Sequence, residues 1–323
     1  MMVETSSWRM RVAAAVSRLF PLFLSGRVAA RLYSSKIAQR ENAGFTARSS
    51  LADVILRLDC ADRHGTPFAV RGFFDWHNVL LTKTICRRGD TLIDIGANVG
   101  TETLLFGKIV GPEGCVIAFE PEPRVFAALR DNVEINKMRQ IKLYDKAVSN
   151  AKETAWFTFP PSEWESGSGQ LGVADGEQGQ GVEVNCVPLD EMYRNGEFGA
   201  PRLIVMDIEG SEMLALQGAR RLIAECRPFF IFEVNPALLR KRGLSPGAFV
   251  EFFESLDYGV WKIERTTLGP APGNMARLCN WLAIPDSGSA ESAEMVTLIN
   301  RRMKLAAFLP LIRGLNPLVI KSR

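Results

Sequence analysis

The chain has 323 residues, of which 47% are hydrophobic and 23% charged, so it can bury a full core and has the composition of an ordinary globular protein. Its net charge of +3 is uneven: residues 1–48 carry eight Lys/Arg and two acids, residues 301–323 carry six Lys/Arg and no acid, and 25 basic and 34 acidic residues remain between them. An acidic body with basic ends argues against a nucleic-acid-binding protein, although the ends could contact an anionic membrane or a partner.

The N-terminal segment, residues 8–34, is rich in Arg and apolar residues. Arg18 and Arg27 interrupt its apolar run, so no stretch reaches the ~18 residues of a membrane span. Arg18 would also fall inside the apolar region of a signal peptide. We predict an amphipathic surface or interfacial helix, with an organellar transit peptide as the alternative. Residues 303–323 repeat the basic and apolar character, broken by Pro310 and Pro317.

The six cysteines are scattered without a CxxC pair, and most lie in apolar runs. This pattern predicts buried free thiols in a reducing compartment, hence a cytoplasmic protein that could be peripheral to a membrane. Only two histidines are present, His64 and His77, which argues against a His-rich metal site.

From residue 91, short apolar runs alternate with helical segments. Strands are predicted over 91–95, 115–119 and 141–144, with helices over 101–110 and about 122–136 between them. Further strands at 203–206 and 229–234 flank a helix over 211–224, a helix follows Ser245-Pro246, and the segments 258–264 and 277–284 close the series. Such alternation implies right-handed βαβ units, so we predict an α/β fold with a doubly wound, mostly parallel sheet of seven strands.

Between the third and fourth parallel strands the chain makes a detour. Residues 155–159 and 182–187 are predicted as short strands of a β insertion, and they flank a Gly- and Ser-rich segment, 162–181. The segment also contains Trp164, Asp175 and Glu177. It is either a flexible surface excursion or a lid or acceptor-binding loop, because long loops in compact domains are often functional.

The candidate ligand site lies beyond the carboxyl ends of the strands, where open α/β sheets bind their ligands. The first strand continues into Asp94-Ile-Gly-Ala-Asn-Val-Gly100, in which Gly96 and Gly100 allow a tight turn and a close backbone approach. The second strand ends in Glu120-Pro121, 24 residues after Gly96. This spacing suits a carboxylate that accepts hydrogen bonds from ribose hydroxyls.

Two cofactor classes fit this arrangement unequally. A dinucleotide site needs a second glycine where this sequence has Asn98, because the pyrophosphate approaches the backbone there. S-adenosylmethionine has no pyrophosphate, and its sulfonium and ammonium charges suit an edge rich in carboxylates. Acidic residues near the strand ends are Asp94, Glu120, Asp145, Asp207 and Glu233. The residues therefore favour S-adenosylmethionine over a dinucleotide.

The order of segments resembles the FkbM-type methyltransferases, a family of class I S-adenosylmethionine-dependent enzymes. The resemblance spans roughly residues 85–235 and continues weakly to 280–285. Its motifs are Gly89-Asp-Thr-Leu-Ile-Asp-Ile-Gly-Ala-Asn-Val-Gly100, Val116-Ile-Ala-Phe-Glu-Pro-Glu-Pro123, Asn132-Val-Glu-Ile-Asn136, Ala147-Val-Ser149, Val187-Pro-Leu-Asp-Glu191, Ile204-Val-Met-Asp-Ile-Glu-Gly-Ser-Glu212, Gly218-Ala219 and Arg227-Pro-Phe-Phe-Ile-Phe-Glu233. D-I-E-G-S-E followed by R-P-x-x-I-x-E is the most specific part.

The resemblance implies O-methylation of a hydroxyl on a sugar, a glycan or a related natural product. We accordingly predict a basic extension (1–48), a methyltransferase domain (49–285) and a basic tail (286–323). The acceptor would be a small molecule or a glycan, and the oligomeric state stays open. The expected donor-binding residues are Asp94, Gly96, Asn98, Gly100, Glu120, Pro121, Asp145, Ala147 and Asp207.

Methyl transfer to a hydroxyl needs in-line positioning and help in removing the proton. Asp207, Glu209 and Glu212 are the catalytic candidates, because the end of the fourth strand should face the donor's methyl group. Asp207 could instead cap a helix or contact the donor, and Glu212 could simply be a favourable acid in a first helical turn. Two or three of these carboxylates could also hold Mg²⁺ or Mn²⁺.

Other residues and functions stay open from the sequence. Glu233 with Asn235 could line the acceptor pocket, although a helix cap before Pro236 explains Asn235 equally well. His77 could be a base, but it is more simply an ordinary surface or core histidine. The same fold could methylate a lipid or protein acceptor at a membrane surface, or it could bind the donor without catalysis. A dinucleotide-dependent oxidoreductase is the weakest alternative.

Overall fold

The computed structural model describes residues 8–41, 44–59, 64–159, 168–172, 180–311 and 316–320. Cys60, Trp164, Asp175 and Glu177 therefore lie outside the described residues, as does most of the segment 162–181. The elements that precede the main sheet are α1 (Trp8–Ser17), α2 (Leu22–Leu32), α3 (Ser35–Glu41), β1 (Gly44–Arg48), β2 (Ile55–Asp59), α4 (Gly65–Arg71) and α5 (Trp76–Ile85).

The parallel part of the main sheet forms from the apolar runs that the sequence analysis predicted as strands. Its elements are β3 (Thr91–Ile95), α6 (Thr103–Val110), β4 (Cys115–Phe119), α7 (Pro123–Ile135), β5 (Ile141–Tyr144), β10 (Pro201–Met206) and β11 (Phe229–Val234). Neighbouring strands pair in parallel register, with β3 between β4 and β10. The strand order reverses at β3, so a crevice opens beyond its carboxyl end.

The rest of the chain completes the sheet and its helical layers. These elements are α8 (Leu189–Arg194), α9 (Glu212–Gln217), α10 (Arg220–Cys226), α11 (Pro236–Lys241), α12 (Gly247–Glu254), β12 (Tyr258–Ile263), β13 (Leu268–Pro270), β14 (Cys279–Pro285) and α13 (Ala290–Phe308). The sheet order is β13-β12-β14-β11-β10-β3-β4-β5, and β14 is antiparallel to both of its neighbours. The doubly wound, mostly parallel fold is confirmed, with β13 as an eighth strand beyond the seven predicted.

The predicted β insertion is a separate small sheet between β5 and β10. Its strands are β6 (Ala147–Val148), β7 (Glu153–Phe159), β8 (Gln170–Leu171) and β9 (Gln180–Val187), in the order β6-β9-β7-β8. Because β6 follows β5 after only two residues, the insertion begins at the carboxyl end of the main sheet. It therefore lies where a ligand would bind.

Side chains that alternate along the strands build two cores, one on each face of the sheet. On β3, Leu92 belongs to one core, and Ile93 and Ile95 belong to the other. Phe232, on β11, packs against Phe249 and Trp281 in the second core. Burial of such side chains contributes about 1.5–3 kcal/mol each, and it holds the strand ends in place.

The helix predicted over 211–224 is wrong as a single element, because the structure divides it into α9 and α10. The division falls at Gly218, where an added Cβ would lie 2.1 Å from the carbonyl oxygen of Ser149. The carbonyl of Gly218 also accepts a hydrogen bond from the backbone N–H of Asp190. The helix is therefore interrupted where the backbone directly after β6 approaches it closely.

The basic N-terminal segment forms three helices rather than one amphipathic helix. Met10, Ala13 and Tyr33 are buried in the first core, and α1 packs against α2 and α4. The C-terminal segment is also bound to the body, because the ammonium group of Lys83 on α5 donates to the carbonyl oxygens of Pro317 and Val319. Within the described ranges, none of the helices combines the length and apolar character that crossing a bilayer requires. The division at residues 48 and 285 stays a prediction.

Candidate active site

The turn after β3 lies against the ends of two neighbouring strands. The backbone N–H groups of Gly96 and Ala97 donate to the carbonyl oxygen of Phe119, at 3.0 and 2.9 Å. Gly96 has φ +88°, and a Cβ added there would lie 2.0 Å from the backbone oxygen of Asp207. Only glycine fits this position, because both the conformation and the contact exclude a side chain.

Asn98 lies in the same turn and connects it to the end of β4. Its φ of +48° lies in the left-handed region, which asparagine tolerates better than most residues. Its side-chain oxygen accepts a hydrogen bond from the N–H of Val99 at 2.6 Å. Its backbone N–H donates to Oε2 of Glu120 at 3.0 Å. The turn and the end of β4 are therefore one hydrogen-bonded unit.

Glu120 is a buried carboxylate on the cavity wall, and only 5% of it is exposed. Its Oε1 accepts from the N–H of Glu122 at 2.9 Å, in addition to the bond that Asn98 donates to Oε2. Burial raises the pKa of Glu120 to about 7, against the effect of these two bonds, and the charges of Glu122 and Asp94 add to the rise. Each oxygen keeps a second lone pair, so the carboxylate can still accept two ribose hydroxyls.

Three carboxylates converge at the ends of β10 and β11. Oxygens of Asp207, Glu209 and Glu233 lie within 4.8 Å of one another. The backbone N–H of Asp207 donates to the carbonyl of Ile95, which holds the cluster beside the turn after β3. Glu209 has φ +48°, a strained conformation for a glutamate. Such a cluster can attract a cation, accept a proton or hold a divalent ion.

These groups surround one cavity of about 740 Å³, a volume that includes the open solvent at its mouth and is within the range of small-molecule sites. Seven predicted residues line it: Gly96, Asn98, Glu120, Pro121, Ala147, Asp207 and Glu209. Lining residues that the sequence analysis did not assign are His64, Ile95, Phe119, Glu122, Lys146, Val148, Phe157, Gly169, Leu171, Ile208 and Ser211.

Three predicted donor-site residues lie off the cavity wall. Asp94 is beneath the turn, where its Oδ2 accepts from Thr103 Oγ1 at 2.7 Å, and burial raises its pKa to about 7. At Gly100 an added Cβ would lie 2.9 Å from a methyl group of Leu129, so this glycine serves the packing of α7. Asp145 is exposed beyond the end of β5.

Glu212 also lies off the cavity wall, although it was a catalytic candidate. It is buried, and its Oε1 accepts from the N–H groups of Ile208 and Gly210, both at 3.2 Å. Burial raises its pKa to about 7, and the charge of Asp207 contributes. Its contacts hold the turn that carries Glu209.

His64 reaches the cavity from outside every motif of the sequence. It directly precedes α4, and its ring stacks on Phe74 with centroids 4.0 Å apart. Its Nε2 lies 3.3 Å from the amide nitrogen of Asn98. No local pattern could have assigned it, because the contact joins two segments 34 residues apart.

The inserted sheet closes one side of the cavity with Phe157, Gly169 and Leu171. Arg242, directly after α11, donates from Nη2 to the carbonyl oxygen of Leu171 at 2.6 Å and to Ser211 Oγ at 3.0 Å. The guanidinium group therefore joins the insertion to the turn before α9. Gly169 and Leu171 belong to the described part of the segment 162–181, and the role of this segment as a lid stays a prediction.

A second polar network adjoins the carboxylate cluster. Glu233 lies opposite Asn280 in the pairing of β11 with β14. The amide nitrogen of Asn280 is 3.3 Å from both Asp75 Oδ2 and Asn78 Oδ1. Glu102 accepts from the amide of Asn78 at 3.0 Å, and burial raises its pKa well above the ordinary value. Amides and carboxylates thus continue from the carboxylate cluster along the sheet edge.

His77 belongs to the margin of this network rather than to the cavity wall. Its Nδ1 is 3.2 Å from Asp75 Oδ1, and its Nε2 is 3.2 Å from the carbonyl oxygen of Arg265. Asn235, the other candidate for the acceptor side, caps α11 by accepting from the N–H of Ala237.

The chain matches a known protein family. The Methyltransferase FkbM domain matches residues 94–260, which is more than half of the chain. The chain belongs to this family. It is a methyltransferase that uses S-adenosylmethionine, and the resemblance found in the sequence is confirmed.

The chain is also similar to individual methyltransferases. The hexuronic acid methyltransferase AglP of Haloferax volcanii is 26% identical over 195 residues, covering 60% of this chain and 73% of AglP. The 31-O-demethyl-FK506 methyltransferase FkbM of Streptomyces tacrolimicus is 29% identical over 158 residues, covering 41% of this chain and 60% of its own length. A solved FkbM methyltransferase from Methylobacillus flagellatus KT has a TM-score of 0.39 and 15% identity, over 85% of this chain and 57% of that one.

The residues of the cavity fit S-adenosylmethionine. The glycine turn leaves space that a Cβ at position 96 would fill, and Glu120 offers free lone pairs to a ribose. Val148, Phe157 and Leu171 supply an apolar wall for a flat base. Asp207 and Glu209 give the cavity wall negative charge, which suits a ligand with a sulfonium and an ammonium group.

Proposed function

We propose that this methyltransferase O-methylates a hydroxyl group of a sugar, a glycan or a glycosylated natural product. The observation that carries the proposal is the cluster of Asp207, Glu209 and Glu233 at the edge of the donor cavity. A sugar hydroxyl is a poor nucleophile, so its methylation is assisted by a base or a cation that helps to remove the proton, and carboxylates can supply either. The names of the two relatives, one acting on a hexuronic acid and one on an O-demethylated natural product, support this acceptor class.

The polar network beyond Glu233 supplies the acceptor side in this proposal. Asn280 and Asn78 carry amides that can both donate and accept, and Asp75 carries a carboxylate that accepts. An acceptor with several hydroxyls can exchange hydrogen bonds with such groups, whereas an apolar acceptor offers them no donor or acceptor. This complementarity favours a polyhydroxylated acceptor over a lipid chain.

In the proposed mechanism the protein positions the reactants and removes one proton. S-adenosylmethionine supplies a methyl group activated by its sulfonium leaving group. Glu120 and the Gly96 turn would hold the donor, and Asp207 would offer negative charge to its cationic groups. Glu209 accepts the hydroxyl proton while the new O–C bond forms and the C–S bond breaks. The products are a methyl ether, S-adenosylhomocysteine and a protonated Glu209, which returns its proton to water.

Glu209 is the preferred base because its backbone is held in a strained conformation that aims it at the cavity. A glutamate with φ near +48° is stabilised by its surroundings, and such positions cluster at functional sites. Glu212 accepts two N–H groups of the same turn. We therefore propose that Glu212 positions Glu209 rather than contacting the reacting atoms.

The test combines an acceptor panel with two isosteric variants. The panel contains uronic acids, neutral glycosides, glycosylated macrocycles and amine-bearing controls, with S-adenosylhomocysteine release and product mass as readouts. Glu209→Gln should lower kcat about 10²- to 10⁴-fold while leaving the Kd of S-adenosylmethionine nearly unchanged. Glu134→Gln, on the exposed surface of α7, is the matched control. Methylation of amines alone, or full turnover by Glu209→Gln, would contradict the proposal.

The same carboxylates could hold Mg²⁺ or Mn²⁺, and a chelator separates the two routes. With Glu209 as base, activity should persist in excess EDTA. A cation-assisted route predicts complete loss in EDTA and recovery with Mg²⁺ or Mn²⁺.

A further inference from the structure

Helix α1 and the turn after it expose an apolar stripe that faces away from the protein. We define the α1 stripe as Trp8, Val12, Ala15, Leu19 and Phe20. The first four recur at helical spacing, and all five are exposed, with 65% exposure for Trp8 and 70% for Leu19. Removing such side chains from water is favourable, so a contiguous exposed stripe of this length indicates a contact surface.

The opposite face of α1 already accounts for the packing of this helix. Met10, Ala13 and Ala14 are almost fully buried, and Ser17 Oγ donates to the carbonyl oxygen of Val70 at 3.0 Å. The helix is thus fixed on the body by one face. Within the described residues, its second apolar face stays exposed.

Helix α13 carries a similar surface near the other end of the chain. Leu298, Leu305 and Phe308 are 38%, 43% and 59% exposed, while Ile299 and Met303 are buried. Both α1 and α13 pack against α2, so the two surfaces flank the same helix.

Positive charge predominates around these stripes. Residues 8–40 contain seven Arg or Lys and no acid, and α13 contains Arg301, Arg302 and Lys304 in its second half against Glu291 and Glu294 near its start. Arg9 and Arg11 are exposed on α1, and Arg301 and Lys304 are exposed on α13. The region between the two basic ends has the opposite balance, 25 basic and 34 acidic residues. The apolar stripes are therefore embedded in a local excess of positive charge.

We propose that the α1 stripe, with the exposed face of α13, docks this methyltransferase onto an anionic lipid membrane. Trp, Leu and Phe side chains beside Arg and Lys are the composition of helices that lie in the bilayer interface. Apolar side chains enter the boundary of the acyl chains, and the basic ones contact acidic headgroups. Each basic residue near such a surface strengthens binding about fivefold.

The first experiment measures partition of the full chain onto vesicles by cosedimentation. Vesicles of phosphatidylcholine with phosphatidylglycerol should bind it, and pure phosphatidylcholine should bind it at least tenfold more weakly. The double variant Trp8→Ser/Leu19→Ser should lower partition at least tenfold, since both side chains are exposed and their loss leaves the core intact. Trp156→Ser, which removes an exposed tryptophan of the inserted sheet, is the control and should partition as the parent does.

The second arm tests the charges. Arg9→Glu/Arg11→Glu should weaken binding to anionic vesicles about 30-fold or more, and raising the salt concentration should have the same effect on the parent. Arg130→Glu/Arg139→Glu, an equal charge change on exposed residues of the acidic body, is the matched control and should have a much smaller effect.

Several results would overturn the proposal. These are no partition onto anionic vesicles, equal partition of the parent and Trp8→Ser/Leu19→Ser, or equal binding to neutral and anionic vesicles. A dimer in sedimentation equilibrium that the same double variant dissociates, without vesicle binding, would assign the surface to a second copy instead. Because none of these readouts uses methyl transfer, failure here is distinguishable from failure of the proposed function.

Discussion

Replacing Gly96 by alanine tests how closely two strand ends approach each other around the donor. The added Cβ would lie 2.0 Å from the backbone oxygen of Asp207, and real Cβ contacts are essentially never shorter than 3.0 Å. The end of β10 must therefore move by about 1 Å. The φ of +88° adds a conformational cost of about 1–2 kcal/mol, and the overlap adds about 1–3 kcal/mol.

Gly89→Ala is a control that separates these two costs. Gly89 has φ +91°, nearly the same backbone conformation, but a Cβ added there has no neighbour within 4 Å. This variant should lose only the conformational part, about 1–2 kcal/mol of unfolding free energy, and should bind S-adenosylmethionine as the parent does. Gly96→Ala should lose about 2–5 kcal/mol in total.

The assays are urea unfolding, isothermal titration with S-adenosylmethionine, and turnover with an acceptor. A displacement of about 1 Å at Asp207 should reduce turnover of the folded Gly96→Ala protein by about 100-fold. The reasoning would be refuted if Gly96→Ala were no less stable than Gly89→Ala and retained the parent's donor affinity.

Three further predictions concern the walls of the cavity. Burial raises the pKa of Glu120 to about 7, and only the ionised carboxylate accepts both ribose hydroxyls. Donor affinity should therefore fall up to tenfold for each pH unit below about 7 and level off above it, in titrations repeated across pH, while Glu120→Gln lacks this step. Arg242→Met removes the hydrogen bonds to Leu171 and Ser211, so the KM for S-adenosylmethionine should rise several-fold, and Arg242→Lys should keep part of the affinity. Equal KM values for the parent and both variants would contradict a role of the inserted sheet in donor binding. His64→Ala should weaken donor binding without changing the pH step, and unchanged binding would remove His64 from the site.

Much of the sheet was predictable because its strands are buried on both faces. Continuous runs such as 115–119 and 203–206 are apolar in every position, and parallel pairing follows from the helices between the strands. The end of β4 was also predictable, because Glu120-Pro121 combines a strand terminator with a carboxylate at a spacing that suits a ribose. Both features depend on residues close together in sequence.

Features that depend on distant contacts were not predictable. The break at Gly218 arises from a close approach of the Ser149 backbone, and His64 reaches the cavity only through tertiary packing. The three acids after β10 show the same limit. All three were catalytic candidates because they follow the end of one strand, but the left-handed turn at Glu209 brings it to the cavity and leaves Glu212 buried behind it.

The N-terminal helices show why an amphipathic pattern alone leaves burial open. Met10 and Trp8 are both large and apolar and only two residues apart, yet one is buried and the other is exposed. Which face of α1 packs against the body depends on α2 and α4, and a periodicity in one helix contains no information about its neighbours.

The most direct test of the donor site is the affinity of Glu120→Ala for S-adenosylmethionine, measured by isothermal titration on protein whose circular dichroism matches the parent. Loss of the buried carboxylate removes the acceptor for two ribose hydroxyls, and hydrogen bonds to a charged group contribute about 1.5–3 kcal/mol each. A Kd raised at least tenfold is the predicted result. A Kd equal to that of the parent would contradict the assignment of this cavity to the methyl donor.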